Sequence, residues 1–147
     1  MKCKFCNLRK KDILFETKTS FIIEGKGHHH GHIILAYKKH RTSILDLTKK
    51  EFLAFTEDLY KVSKVVKQTF DVDKLNLALL GNWVPHLHWH IYPRYEEDID
   101  YGQPPYLQWK IMGKKVAPPR IELLEKPLTR IEKIDLITKL KKEFLMK

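Results

Sequence analysis

Three histidines alternate with apolar residues in one short segment, His86-Leu87-His88-Trp89-His90-Ile91. Successive side chains of a β-strand point to opposite faces, so the three imidazoles would share one face and the apolar side chains the other. Near neutral pH an imidazole can bind a metal, transfer a proton or act as a nucleophile. On a packed face it also needs hydrogen-bond partners. The pattern therefore favours a chemical role over a polar face that merely points to solvent.

A second chemical pattern lies near the N-terminus, where Cys3 and Cys6 form a Cys-x-x-Cys pair. In a cytosolic protein such a pair is more often metal-binding or redox-active than a structural disulfide. A thioredoxin-like pair would follow a strand and open a helix, whereas no strand is predicted before this one. We therefore favour a tetrahedral zinc site, which needs two further ligands. The alternative is two free thiols on a frayed terminus.

The composition is that of one globular domain. The chain has 147 residues, of which 43% are hydrophobic and 31% are charged. No apolar run approaches the roughly 20 residues that span a bilayer. The first six residues have no apolar stretch suited to a signal peptide. We expect a cytoplasmic protein without a membrane partner.

The formal net charge of +10 predicts attraction for anions such as nucleotides, polyphosphates or nucleic acids. The basic residues are scattered in short groups, and no block of five or more stands out. Aromatic residues are not interleaved with them, as they tend to be in single-strand binders. The distribution therefore disfavours nucleic acid as the partner, although charge alone does not decide between it and small anions.

The hydrophobic pattern predicts strands before and after one long helix. The predicted strands are 13–17, 20–24, 32–37, 75–80 and the histidine segment, and a loop rich in glycine and histidine covers 25–31. A capping box, Thr48-x-x-Glu51, opens the helix. Its apolar stripe is Phe52, Phe55, Leu59, Val62, Val66 and Phe70. The connection at 81–85 is too short for a crossover helix, so the strands around it should be antiparallel neighbours.

A second capping box, Thr129-x-x-Glu132, predicts a C-terminal helix. Its predicted apolar stripe consists of Ile131, Ile134, Ile137, Leu140 and Phe144. Strands, a long helix and further strands with antiparallel connections together indicate an α+β fold.

From Cys3 to about Tyr95 the chain resembles the histidine triad (HIT) family of nucleotide hydrolases and transferases. The resemblance rests on His-x-His-x-His with two apolar residues after it and on the wider stretch 79–90. It implies an antiparallel sheet of about five strands covered by helices, in a symmetric homodimer joined through residues 48–80. We expect a HIT domain over 1–110 and a C-terminal extension over 111–147 whose terminal helix packs on the same domain.

The resemblance also implies catalytic roles for three histidines. His88, the middle residue of the triad, would attack the α-phosphate of a nucleotide and form a nucleotidyl-histidine intermediate, which divides one difficult displacement into two easier ones. His90 would contact phosphate oxygens and donate a proton to the leaving group. His32 matches a fourth histidine that supports the triad.

For nucleotide binding, the resemblance implies an adenine nucleotide and points to Glu24 together with His90. Glu24 lies eight residues before His32, where family members carry a ribose-binding side chain, although a solvent-exposed glutamate is an equal alternative. Many members also have a longer glycine-rich loop before the triad, which is replaced here by Gly81-Asn82-Trp83-Val84-Pro85. Asn82 is our candidate for that loop's phosphate contact. The sequence does not determine the leaving group.

Some members of the family carry a structural zinc, and the matching ligands in this chain are Cys3, Cys6, His40 and His86. Such a closed, four-coordinate site would fasten the N-terminus to the sheet. No organic cofactor is expected.

The leading hypothesis is therefore a nucleotide hydrolase or nucleotidyl transferase acting at an α-phosphate, of the dinucleoside polyphosphate or nucleoside phosphoramidate type. Three alternatives stay open at this point. Phosphate could replace water, which would make the enzyme a dinucleoside polyphosphate phosphorylase. The protein could be a HIT protein that binds nucleic acid or processes DNA ends. His86, His88 and His90 could instead bind a catalytic zinc, since alternate histidines on a strand do so.

Overall fold

The structure is a computed structural model that describes residues 3–98, 100–105, 110–111, 114–115 and 125–145. Five strands form one sheet: β1 (Ile13–Glu16), β2 (Ser20–Glu24), β3 (Ile33–Tyr37), β4 (Lys74–Leu79) and β5 (His88–Arg94). Their order is β1-β2-β3-β5-β4 with every neighbouring pair antiparallel. Two-residue strands β6 (Lys110–Ile111) and β7 (Lys114–Lys115) pair with each other. The helices are α1 (Lys49–Phe70) and α2 (Arg130–Leu145). The predicted α+β fold with a five-stranded antiparallel sheet is confirmed.

Helix α1 begins and ends where its sequence specifies. Thr48 accepts a hydrogen bond from the backbone of Glu51, whose carboxylate accepts one from Thr48, which completes the predicted capping box. The helix ends at Phe70 because Asp71 takes the left-handed conformation, with φ of 48°. The predicted stripe faces the sheet, and Phe55 and Val62 in it are fully buried.

Helix α2 packs against α1 and β1, but its buried face differs from the predicted stripe. Leu136 and Leu140 are fully buried, whereas Ile131 and Ile134 are 79% and 55% exposed. The helix carries more apolar residues than one face can hold, and packing selects the i, i+4 row that starts at Leu136. The predicted helix is therefore confirmed, but the prediction that its first two isoleucines face the core is wrong.

The two faces of the sheet pack against different parts of the chain. The face that carries Ile22, Leu35 and Ile91 forms the main core with both helices. On the opposite face, Ile34 and Ala36 form a smaller cluster that the N-terminal segment covers. The histidine row shares this second face, since His90 and His88 stand opposite Ile34 and Ala36 on β3. Trp89 packs against the main core, as predicted from the alternation.

Strand β5 starts at His88, two residues later than the histidine pattern suggests. The backbone N–H of His86 bonds to the carbonyl of Val84 in a tight turn, and the N–H of Leu87 bonds to Arg41. His86 therefore precedes the ladder instead of belonging to it. Strands β4 and β5 are antiparallel neighbours, as their short connection predicts.

No helix in the described ranges is long and apolar enough to cross a membrane. The predicted domain boundary at residues 110 and 111 lies beside residues outside the described ranges and stays a prediction. The cytoplasmic location likewise stays a prediction.

Candidate active site

His88 is held in one orientation by the backbone of its own segment. Its Nδ1 lies 2.5 Å from the carbonyl oxygen of His86. A carbonyl can only accept, so Nδ1 carries the proton and Nε2 keeps its lone pair. The ring of Phe5 packs against the imidazole, with 4.6 Å between centroids. A buried imidazole with a fixed tautomer and an available Nε2 has the form that a nucleophile requires.

His90 joins His88 to His32 through its two ring nitrogens. Nε2 of His90 lies 3.1 Å from Nε2 of His88. Nδ1 of His90 lies 3.0 Å from Nε2 of His32, whose Nδ1 lies 3.3 Å from the carbonyl oxygen of Lys26. The three histidines proposed as catalytic therefore form one chain of contacts that ends on a backbone acceptor.

The tautomers of His32, His90 and His88 determine which ring nitrogen can take up an additional proton. The Lys26 carbonyl places a proton on Nδ1 of His32, so Nε2 of His32 accepts a hydrogen bond from Nδ1 of His90. His90 and His88 would then face each other with two lone pairs, unless His90 carries a second proton on Nε2. A proton added to this row of histidines would therefore lie on Nε2 of His90, between His90 and His88.

Burial makes that proton acidic. Desolvation by burial, followed by the charge of neighbouring His88, lowers the pKa of His90 from 6.5 to about 4. Desolvation, followed by the charge of His90, lowers the pKa of His32 from 6.5 to about 3. A proton placed on His90 would therefore leave readily, which suits a group that donates to a departing oxygen.

These depressed pKa values predict acid sensitivity of the fold. In the unfolded chain both histidines bind protons near pH 6.5, whereas the folded protein binds them only near pH 3 and pH 4. Stability is then fully present above about pH 6.5 and declines as the pH falls toward those lower values. We expect the melting temperature to drop between pH 7 and about pH 4.5, and to drop less steeply in His32→Gln. Parallel curves for the two proteins would contradict this account.

Cys3, Cys6, His40 and His86, the predicted zinc ligands, come together on the histidine face. Their donor atoms all lie within 4.8 Å of one another. Nδ1 of His86 is 3.3 Å from Sγ of Cys3, 3.6 Å from Sγ of Cys6 and 3.3 Å from Nδ1 of His40. Sγ of Cys6 is 3.4 Å from Nδ1 of His40. Residues far apart in sequence therefore place two sulfurs and two nitrogens around one point.

These spacings fit tetrahedral zinc. With Zn–N near 2.0–2.1 Å and Zn–S near 2.3 Å, two nitrogens would be about 3.4 Å apart and a nitrogen and a sulfur about 3.5 Å apart. Nε2 of His86 lies 2.6 Å from the carbonyl oxygen of Tyr37 and donates to it, which leaves Nδ1 as the ligand atom. Desolvation and the neighbouring Cys3 raise the pKa of the Cys6 thiol, a cost that a bound cation would offset. The four residues can hold a structural zinc.

A shallow cleft of about 160 Å³ opens beside His88, and its lining includes Gly81, His86 and Thr42. Asn82 is exposed in the same bend, and its side chain makes no hydrogen bond within the described ranges. The structure thus places Asn82 next to the lining of this cleft but shows no contact for it. Its predicted role in phosphate binding stays a prediction.

Glu24 has partners from the C-terminal part of the chain. Its carboxylate accepts a hydrogen bond of 2.6 Å from the backbone N–H of Leu128 and pairs at 2.7 Å with Nζ of Lys133. By strand alternation it shares a face with Ile22, on the helix side of the sheet. A ribose bound by Glu24 would have to displace both contacts, so this role stays a prediction.

Sequence reasoning missed two supporting side chains of the histidine chain. Tyr92 stacks on His32 with 4.1 Å between ring centroids and continues the alternate row that ends at His90. Because Tyr92 is two residues after His90, strand alternation would have predicted that it lies on the same face. Phe5 lies between the two cysteines in sequence and packs on His86 as well as His88. Its role follows only from the path of the N-terminal segment.

Comparisons with known proteins agree with this geometry. A model of the HIT domain matches residues 8–97. A bis(5'-adenosyl)-triphosphatase of Dictyostelium discoideum is 30% identical over 125 residues, which span 81% of this chain and 82% of that protein. The crystal structure of a histidine triad protein from Bradyrhizobium japonicum superposes with a TM-score of 0.70 at 22% identity and covers 94% of this chain and 97% of its own. Plasmodium falciparum diadenosine triphosphate hydrolase superposes with a TM-score of 0.58 at 26% identity, over 63% of this chain and 67% of its own.

The chain therefore belongs to the HIT family. The predicted membership is confirmed, and so is the predicted class of protein, a HIT-type enzyme. Its particular reaction is a separate question.

Proposed function

We propose that this protein hydrolyses a dinucleoside polyphosphate of the diadenosine triphosphate type at its α-phosphate, with His88 as the nucleophile. One observation carries the proposal. The His86 carbonyl fixes the proton of His88 on Nδ1, and the remaining Nε2 faces a second histidine that can supply a proton. This pairing suits double displacement at phosphorus.

In the first step, Nε2 of His88 forms a bond to the α-phosphorus, and the bond from that phosphorus to the bridging oxygen breaks. The negative charge of the bound phosphates favours the protonated form of His90. The proton on its Nε2 passes to the departing phosphate, which leaves as ADP when the substrate is diadenosine triphosphate. The imidazole of His88 becomes positively charged, and its Nδ1–H strengthens its hydrogen bond to the His86 carbonyl.

In the second step, water attacks the adenylyl phosphorus and the bond to His88 breaks. The water loses one proton to His90, which restores the acid for the next turnover. AMP leaves, and His88 returns to its neutral form. Water and substrate therefore yield AMP and ADP, and both histidines end as they began.

The choice of adenine and of a triphosphate bridge rests on the relatives. The proteins from Dictyostelium discoideum and Plasmodium falciparum are named for hydrolysis of a diadenosine triphosphate. The first of these matches most of both chains. It supports this substrate class over nucleoside phosphoramidates.

We also propose that Cys3, Cys6, His40 and His86 bind one structural zinc per chain, which would cross-link the N-terminus to the segment before β5. Homodimer formation through residues 48–80 stays a prediction. Exposed apolar side chains within that range support it, namely Leu53, Tyr60, Leu77 and Leu80.

Hydrolysis of diadenosine triphosphate in ¹⁸O-labelled water tests the proposed reaction. We expect one labelled oxygen in AMP and none in ADP, because water attacks the α-phosphorus that stays with the adenosine. A stopped reaction should contain protein heavier by one adenylyl group, measured by mass spectrometry. Label in ADP would refute attack at the α-phosphate.

Two controls separate the competing reactions. Added inorganic phosphate would convert both halves of the substrate to ADP if the enzyme were a phosphorylase, so a constant AMP-to-ADP ratio supports hydrolysis. His30→Gln is the matched control variant, because His30 pairs with Glu132 and takes no part in the histidine chain. It should keep the turnover of the unmodified protein.

A further inference from the structure

We propose a second metal site, built from His28, His29 and Asp100, that takes a divalent transition metal such as zinc. One ring nitrogen of His28, one ring nitrogen of His29 and a carboxylate oxygen of Asp100 lie within 4.8 Å of one another. All three residues are at least nine-tenths buried. The proposal does not depend on the proposed reaction or on the Cys3 and Cys6 site.

The distances suit a shared cation. Oδ2 of Asp100 lies 3.2 Å from Nε2 of His29 and 3.6 Å from Nε2 of His28. The carbonyl oxygen of Pro105 lies 3.0 Å from Nε2 of His29 and offers a fourth donor. Nitrogen and oxygen ligands at about 2.0–2.2 Å from one metal stand roughly 2.8–3.6 Å apart. Two imidazoles with oxygen donors suit zinc and its first-row neighbours.

Two buried nitrogen atoms point to a missing ligand. Nε2 of His28 and Nδ1 of His29 have no hydrogen-bond partner among the described residues. A buried polar atom without a partner is costly, so each such atom calls for an explanation. A cation bound by His28 would satisfy the first of them.

The second atom, Nδ1 of His29, is near a carboxylate but beyond hydrogen-bond distance of it. If Nε2 of His29 binds the metal, its proton must be on Nδ1, which faces Oδ2 of Asp98 at 3.8 Å. A carboxylate behind a metal-bound imidazole is the usual outer contact of such ligands. If Nε2 instead donates to Pro105, the lone pair of Nδ1 faces a carboxylate. Burial also lowers the pKa of His29, which favours the neutral, ligating form.

Arg94 prepares the carboxylates for this role. Its guanidinium bonds to Oδ1 of Asp100 at 3.0 Å and to Oδ2 of Asp98 at 3.2 Å. Oδ2 of Asp100 is thereby left facing the histidines. The two carboxylates and one guanidinium sum to one negative charge, which favours a bound cation over an empty site.

The metal would join two segments next to the histidine chain. His28 and His29 lie in the loop between β2 and β3, and Asp100 follows β5. The ring of His29 contacts Tyr92, with 5.3 Å between centroids, and Tyr92 stacks on His32. The site would fix the loop whose Lys26 carbonyl orients His32.

Zinc titration by calorimetry tests the site, with Cys3→Ser/Cys6→Ser as the background that removes the thiolates. We expect this background to bind one zinc per chain, and His28→Gln in the same background to bind none. His30→Gln, the neighbouring histidine that pairs with Glu132, should still bind one. Zinc should also raise the melting temperature of the background but not that of the His28→Gln variant.

If the background fails to fold, the intact protein replaces it, and His28→Gln should bind one zinc fewer than the unmodified chain. No zinc in a folded background, or an unchanged stoichiometry in His28→Gln, overturns the proposal. Absence of zinc from the folded background would mean that a protonated histidine, not a metal, neutralises the negative charge of the carboxylates. Failure of the thiolate site would look different, because Cys3→Ser/Cys6→Ser would then bind as much zinc as the unmodified protein.

Discussion

His88→Ala is expected to lose all measurable turnover of diadenosine triphosphate while the protein stays folded and still binds nucleotide. The side chain supplies the bond to phosphorus, because the carbonyl of His86 holds the proton on Nδ1 and leaves Nε2 of His88 with its lone pair. The measurements are steady-state hydrolysis, binding of a non-hydrolysable adenine nucleotide, and mass spectrometry for the adenylylated protein. The adduct should be absent from this variant.

His90→Ala provides the graded comparison. It removes the proton donor but not the nucleophile, so turnover should fall about 10²–10⁴-fold instead of disappearing. A leaving group that needs no proton should restore much of the rate in His90→Ala but none in His88→Ala. Equal activity of His88→Ala and the unmodified protein would exclude the covalent mechanism.

His86→Ala is expected to lose stability before chemistry, because His86 is a proposed ligand of the thiolate zinc. Loss of the metal leaves two neighbouring sulfurs without a cation. At a free zinc concentration of about 1,000 times Kd, the site adds about 4 kcal/mol to the free energy of unfolding. For a chain of this size that corresponds to about 10 °C in melting temperature. Calorimetry of the unmodified protein, the variant and chelator-treated protein measures the difference.

Cobalt substitution identifies the site involved. A thiolate-to-cobalt charge-transfer band should be present in the unmodified protein and in His88→Ala, and absent from His86→Ala and Cys6→Ser. If His86, His88 and His90 variants all lose metal and activity together, the three histidines bind a catalytic zinc and the assignment of the nucleophile is wrong. A chain that retains its melting temperature without metal would refute the structural zinc.

The sheet and long helix were predictable because local signals agree with the tertiary packing. The Thr48 capping box and the stripe through Phe55 specify α1 without reference to the rest of the chain. The antiparallel pairing of β4 and β5 follows from the length of their connection. The face of α2 was less predictable, because its sequence offers more than one apolar row and only contact with α1 and β1 selects Leu136 and Leu140.

Some residues of the candidate site were likewise predictable from the sequence, and others were not. The alternation of His88 and His90 is readable from sequence, since strand geometry alone puts them on one face. The cluster of His28, His29 and Asp100 is not, because it depends on how a loop and the segment after β5 fold against each other. The engagement of Glu24 by Leu128 also depends on a contact between residues 104 positions apart.

Backbone carbonyls orient three imidazoles on the histidine face: Tyr37 for His86, the His86 carbonyl for His88, and Lys26 for His32. A side-chain substitution at these acceptor positions cannot delete a carbonyl oxygen. Most point mutations therefore leave these tautomers unchanged. An alanine scan would identify the ligands and the nucleophile but not the backbone carbonyls that orient them. At Lys26 the acceptor depends on the path of the main chain between Gly25 and Gly27, not on the lysine side chain. Replacement of a peptide bond by an ester weakens the carbonyl as an acceptor. This change would reveal how much each carbonyl contributes to the orientation of its imidazole.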